Sequence, residues 1–145
     1  MPISMTNDMM RAIIMDHYTN PLHKHAPNGD GYTNIHMHSD NCIDNIHVYV
    51  KFENDRVVDA FFDGIACTIS TASTDIMCEL IIGKSKKEAL YLADQFMKMM
   101  EEEDFDELSL DEAVALANTS KQAARIRCAT IGWNGVTTLI KEEDK

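Results

Sequence analysis

The sequence predicts an α+β fold, a small three-stranded antiparallel sheet packed against several helices. Two observations carry that prediction. Ile46, Val48, Val50 and Phe52 alternate with His47, Tyr49, Lys51 and Glu53, the period-two signature of a half-buried strand. From Gly64 onward the apolar residues recur instead at helical spacing. Strands first and helices afterwards is the order of an α+β chain. A length of 145 residues suits a single domain over residues 1–145 with one hydrophobic core.

Taken in order, the first element is an amphipathic helix from about Asn7 to Tyr18. Met10, Ile13, Ile14 and His17 share one face, and Asn20-Pro21 ends it because a residue before proline is pushed out of the helical region. A loop rich in Pro, Gly, Asn and His leads to a weak strand, Tyr32–His38. The alternating strand follows, Asn54-Asp55 turns the chain, and Val57–Phe62 returns as the partner of a hairpin,. Ile69, Ala72, Ser73, Ile76 and Leu80 define the next helix, closed by Gly83,. Ala89, Leu92, Ala93, Phe96 and Met100 mark the inner face of a helix from about Lys86 to Met100. Glu101–Asp104 reads as a solvated acidic loop or a fraying helix end. Ser109 and Glu112 have the spacing of a capping box for a short helix through Ala117,. Ala129, Trp133, Val136 and Ile140 place the last helix, with a loose charged tail from about residue 141.

Composition excludes several functions. A formal net charge of -11 repels a nucleic-acid backbone, so no nucleic-acid role is expected. No run approaches the roughly 18 apolar residues of a membrane helix, and Met1–Met10 lacks the features of a secretory signal. The expected location is cytoplasmic. Thiols stay reduced there, so the four cysteines read as metal-binding, catalytic or buried rather than disulfide-bonded.

Placement says more about those cysteines than spacing, since no Cys-x-x-Cys occurs. Cys42 and Asp44 are two apart beside a strand, where alternate side chains point the same way. Cys67 lies where the hairpin gives way to a helix, and Cys128 just ahead of the last helix. Both positions favour thiolate through unpaired N–H groups and the helix dipole. Cys78 lies a rise of about 16 Å beyond Cys67 along a continuous helix, too far to share one zinc, and is assigned to packing. Three thiolates and a carboxylate make a set for zinc or iron. Against this stands the reading of all these cysteines as small buried hydrophobes. Among the remaining residues, His23, His25, His36 and His38 read as exposed polar positions, His17 as a hydrogen-bonded core histidine and Trp133 as core. Lys121, Arg125 and Arg127 form a basic cluster, either paired with the acidic run or lying near the cysteines.

Four segments carry a resemblance. Met15-Asp16-His17-Tyr18-Thr19-Asn20-Pro21, Asn41-Cys42-Ile43-Asp44, Gly64-Ile65-Ala66-Cys67-Thr68-Ile69-Ser70 and Arg125-Ile126-Arg127-Cys128-Ala129 resemble the SufU branch of the IscU/NifU-like proteins of iron–sulfur cluster assembly, over nearly the whole chain. The long segment between Cys67 and Cys128 is similar to SufU rather than to the more compact IscU scaffolds. The chain departs from the family pattern at Ile43, where the family usually has the glycine of Cys-Gly-Asp, at Ala66, in place of the second glycine of Gly-x-Gly-Cys, and at Arg127, where IscU scaffolds usually have histidine.

The resemblance implies that Cys42, Asp44, Cys67 and Cys128 are metal ligands, with zinc as the typical ion. It implies that Cys42 accepts sulfur from a PLP-dependent cysteine desulfurase, SufS-like, and that further cluster assembly proteins act downstream. Three functions stay open. The first is a zinc-dependent sulfurtransferase carrying persulfide sulfur on Cys42. The second is a scaffold that builds and hands over a labile [2Fe–2S] cluster on the same four residues, with iron in place of zinc. The third is a structural zinc domain that only docks to a partner.

Overall fold

In the computed structural model, which describes residues 4–39 and 43–143, the expected α+β architecture is present. The elements run α1 (Asn7–Thr19), β1 (Thr33–His38), β2 (Asn45–Glu53), β3 (Arg56–Ile65), α2 (Thr68–Ile81), α3 (Lys86–Met100), α4 (Glu107–Leu110), a 3-10 helix (Asp111–Lys121) and α5 (Ala123–Glu143). The three strands form one antiparallel sheet in the order β1-β2-β3. Asn54 and Asp55, both with positive φ (51° and 64°), make the tight β2–β3 turn, as Asn and Asp tolerate that region best among non-glycine residues.

One face of the sheet is core. Ile46, Val48, Val50, Ala60 and Phe62 are buried there, and α5 crosses it so closely that a Cβ on Gly135 would sit 3.2 Å from Met37 and 3.3 Å from Ile35. A Cβ on Gly132 would likewise meet Thr74 Oγ1 of α2 at 2.6 Å. Trp133, fully buried, stacks on Phe96 with centroids 4.6 Å apart. Its Nε1–H donates to Ser73 Oγ, so α2, α3 and α5 meet at one residue. The outer edge of β3 is covered in part by the loop after α1. There His25 N–H donates to Phe62 O, and Phe62 N–H donates to His23 O.

Three local expectations need correction. The expected capping box at Ser109 is absent. Asp106 caps α4, its carboxylate accepting from the Ser109 N–H and hydroxyl, and the residues after it wind as a 3-10 helix. The loose tail expected from residue 141 is helical through Glu143. Finally, α5 begins at Ala123, so Cys128 sits inside the helix rather than ahead of it. Ala123-Ala124-Arg125-Ile126-Arg127 holds good helix formers and no breaker, which extends the helix back beyond its apolar stripe. The basic cluster divides. Lys121 pairs with Glu102 of the acidic run, while Arg125 and Arg127 are exposed.

Candidate metal centre

The loops at one end of the sheet bring three of the four expected ligands together. Asp44 immediately precedes β2, Cys67 follows β3, and Cys128 faces them from α5. One donor atom from each lies within 4.8 Å of the others. Among the described residues no other set of three His, Cys, Asp or Glu donors converges as closely. Cys42, the fourth expected ligand, lies outside the described residues. Cys78 is fully buried, and burial pushes its thiol well above the usual range, which agrees with a packing role.

Each residue is held for a physical reason. Cys67 is the N-cap of α2. Its Sγ accepts the Ser70 N–H at 3.4 Å and its backbone is extended, so the sulfur lies at the positive end of the helix dipole. Asp44 is 1% exposed. Its Oδ1 accepts the Cys67 N–H at 2.8 Å, and its Oδ2 lies 3.9 Å from Cys67 Sγ. That backbone bond was not foreseen from sequence, and it gives Asp44 a second duty, orienting the loop that carries Cys67. Cys128 is 1% exposed on the buried face of α5. Because it lies within the helix, its thiolate gains no stabilisation from that helix's N-terminus, contrary to the expectation above.

The donor set fits a tetrahedral, thiophilic ion. A carboxylate oxygen about 2.1 Å and a sulfur about 2.3 Å from zinc lie about 3.6 Å apart in a tetrahedral site. Asp44 Oδ2 and Cys67 Sγ, 3.9 Å apart, stand slightly wider than that. Exposed Ile43 and Ile65, 64% and 65% accessible, flank the site with apolar surface.

Gly64 shapes the loop that presents Cys67. Its φ is +125°, and a Cβ there would lie 2.3 Å from the Asn45 carbonyl oxygen, so only glycine lets β3 approach β2 here. The first glycine of the Gly-x-Gly-Cys pattern is therefore the one that geometry demands. We expect Gly64→Ala to destabilise the protein by about 1–3 kcal/mol and to weaken metal retention, whereas Ala66→Gly leaves both near native. Chemical denaturation and metal analysis of the two variants check this.

Comparisons with known proteins identify the family. The model for the NifU-like N-terminal domain matches residues 9–129. The chain is 40% identical over 142 residues to the iron–sulfur cluster assembly scaffold protein IscU of Streptococcus pyogenes serotype M1, covering 97% of this chain and 88% of the relative. It is 36% identical over 137 residues to the zinc-dependent sulfurtransferase SufU of Bacillus subtilis (strain 168), covering 94% and 92%. A solved structure from Fervidobacterium islandicum AW-1, described as a putative iron–sulfur cluster assembly scaffold protein for the SUF system, superposes with a TM-score of 0.76. It is 30% identical, covering 87% of this chain and 92% of that one.

Proposed function

This chain belongs to the NifU-like N-terminal domain family, and from that premise we propose that it serves iron–sulfur cluster assembly as a SufU-like carrier of persulfide sulfur. In this reading it works as one domain in the cytoplasm. Cys42 is the acceptor, and Asp44, Cys67 and Cys128 complete a zinc site with it. The observation that carries the reading is the convergence of the Asp44, Cys67 and Cys128 donors on one point at the end of the sheet.

The chemistry asked of the protein is a thiolate exchange. A cysteine desulfurase of the SufS kind presents a persulfide on its own cysteine. The Cys42 thiolate attacks the outer sulfur, a new S–S bond forms on Cys42, and the desulfurase thiolate leaves. Bound zinc would keep the site's thiols deprotonated at neutral pH. Asp44 holds the Cys67 loop through the 2.8 Å backbone bond. Cys67, on the α2 cap, and Cys128, inside α5, are the anchors. The apolar flank of Ile43 and Ile65 provides a docking rim for the desulfurase, and the acidic surface adds steering toward a basic partner.

A second reading, a scaffold on which a [2Fe–2S] cluster is built and passed on, uses the same donors. It is favoured by the 40% identity to a relative named as a scaffold. Metal and sulfide content of protein purified without oxygen separates the two, for the native chain and for Asp44→Ala. About one thiolate-bound zinc per chain without acid-labile sulfide, together with stimulation of a cysteine desulfurase that Cys42→Ser abolishes, is the expected result. Equal iron and sulfide, with colour that strengthens in Asp44→Ala, would overturn the sulfurtransferase in favour of the scaffold. Zinc with no effect on any desulfurase would leave a structural docking domain.

A further inference from the structure

The face of the sheet turned away from the core carries a cluster of imidazoles that the thiolate centre does not use. His36 of β1 is the direct cross-strand partner of His47 in β2, and the two rings stack with centroids 4.6 Å apart at 13°. His38, two residues along β1 and so on the same face, has its ring centroid 5.6 Å from that of His36. On the other side of His47, its partner in β3 is Asp63, whose carboxylate also accepts the Gly64 N–H at 2.9 Å. Three histidines and a carboxylate thus occupy adjacent positions of one pleated surface. His36 and His38 are exposed, and His47 and Asp63 are half-buried.

We propose that this patch is a second divalent-cation site, with His36, His38 and His47 as imidazole ligands and Asp63 as the neighbouring carboxylate, taking an ion of borderline softness such as zinc, cobalt or nickel. Two histidines at i and i+2 on a strand, with a third opposite on the next strand, put three imidazoles within reach of one ion once their rings turn. Cross-strand Cβ atoms are about 4.5–5.5 Å apart and i, i+2 neighbours about 6.6 Å, spans that imidazoles bridge to reach an ion at about 2.0–2.1 Å. Imidazole with carboxylate suits zinc and its first-row neighbours rather than magnesium or calcium. A net charge of -11 concentrates cations at the surface. In the structure the rings lie stacked rather than converged, and His36 Nε2 is 2.6 Å from Asn45 Oδ1. Coordination therefore turns the rings about χ2 and exchanges that contact for the ion. Those are movements of surface side chains, needing no change in the backbone.

Cobalt separates this site from the thiolate centre, because only thiolate ligands give an intense sulfur-to-cobalt charge-transfer band in the near ultraviolet. Tag-free protein, fully reduced and without oxygen, is dialysed against cobalt and analysed for bound ion and absorption. We expect about two cobalt ions per chain. His36→Gln combined with His47→Gln removes one of them and leaves the charge-transfer band unchanged. Cys67→Ser combined with Cys128→Ser removes the band and leaves the imidazole-bound ion. A single ion in the native chain that the histidine variant still holds would overturn the proposal. So would a second ion that survives in that variant. Conversely, an ion lost with the histidines and no charge-transfer band in any form would uphold this site while sinking the thiolate centre. Retention of the native Trp133 fluorescence in each variant shows that the fold is intact.

Discussion

Cys67→Ser is expected to abolish metal retention at the thiolate centre while leaving the metal-free protein as stable as the native chain. Cys67 caps α2 through its side chain, and serine is among the best residues at an N-cap. The substitution therefore keeps the Ser70 N–H satisfied, and it leaves the Cys67 N–H bond to Asp44 untouched because that donor is backbone. What is lost is the thiolate, for which a serine hydroxyl is no substitute, since it does not ionise near neutral pH. Cys128→Ser should remove the ion equally well, to less than about a tenth of native occupancy. It differs in its structural cost. Cys128 is 1% exposed, and exchanging its sulfur there for a more strongly hydrated hydroxyl costs about 1 kcal/mol. Anaerobic metal analysis read beside chemical denaturation of the metal-free proteins tests both. Native zinc content in either variant would remove that cysteine from the site.

The second large effect is structural. His17→Ala should destabilise the protein by about 3–5 kcal/mol, the cost of leaving a buried charge without its partner. His17 is buried in the last turn of α1. Its Nδ1 lies 2.6 Å from Asp75 Oδ2 of α2, and its Nε2 lies 2.9 Å from Glu112 Oε1 of the 3-10 helix. Both partners are carboxylates, which accept only, so both ring nitrogens must carry a proton, and the ring is an imidazolium. Burial works against that charge. The hydrogen bonds to Asp75 and Glu112 outweigh it and hold the His17 pKa above its ordinary value. Asp75 is fully buried, and its other oxygen accepts the His23 N–H at 2.7 Å.

The sign of the pH dependence follows. Because the folded-state pKa of His17 is raised, its contribution to stability is complete below the unfolded value of about 6.5. It is lost as pH rises through the folded value. Unfolding in denaturant, followed by the fluorescence of the single tryptophan, should show a decline over that window in the native protein and none in His17→Ala. Replacing both partners, His17→Leu with Asp75→Leu, should recover part of the loss, since apolar pairs often match buried ion pairs. A His17→Ala protein within about 0.5 kcal/mol of native, the range of an ordinary surface change, would show that the network carries little.

The sequence by itself determined the elements whose signals are local. Alternation in 46–53 placed β2, the Asn54-Asp55 pair placed the turn, and helical spacing placed α1, α2 and α3 to within a residue or two of their observed ends. Cys67 at the start of α2 was legible for the same reason, since strand-to-helix transitions are written in neighbouring residues. The grouping of Asp44, Cys67 and Cys128 was suggested by their placement beside a strand and two helix starts and specified by the resemblance, because no periodicity links residues so far apart along the chain.

Tertiary structure alone decided the rest. Cys128 proved to lie within α5, as backbone propensity carried the helix past the apolar stripe that marks its buried face. Asp106 proved to be the cap of α4, where Ser109 and Glu112 offered an equally good local pattern. The partners of His17, 58 and 95 residues away, were fixed by how α1 packs against α2 and the 3-10 helix. The pairing of His36 with His47 and of His47 with Asp63 came from strand register, and register was set by burying Ile46, Val48 and Val50 on the opposite face. Local conformation depends on a few adjacent residues, whereas contacts across the fold depend on which apolar faces bury together, and that choice is made by the whole core at once.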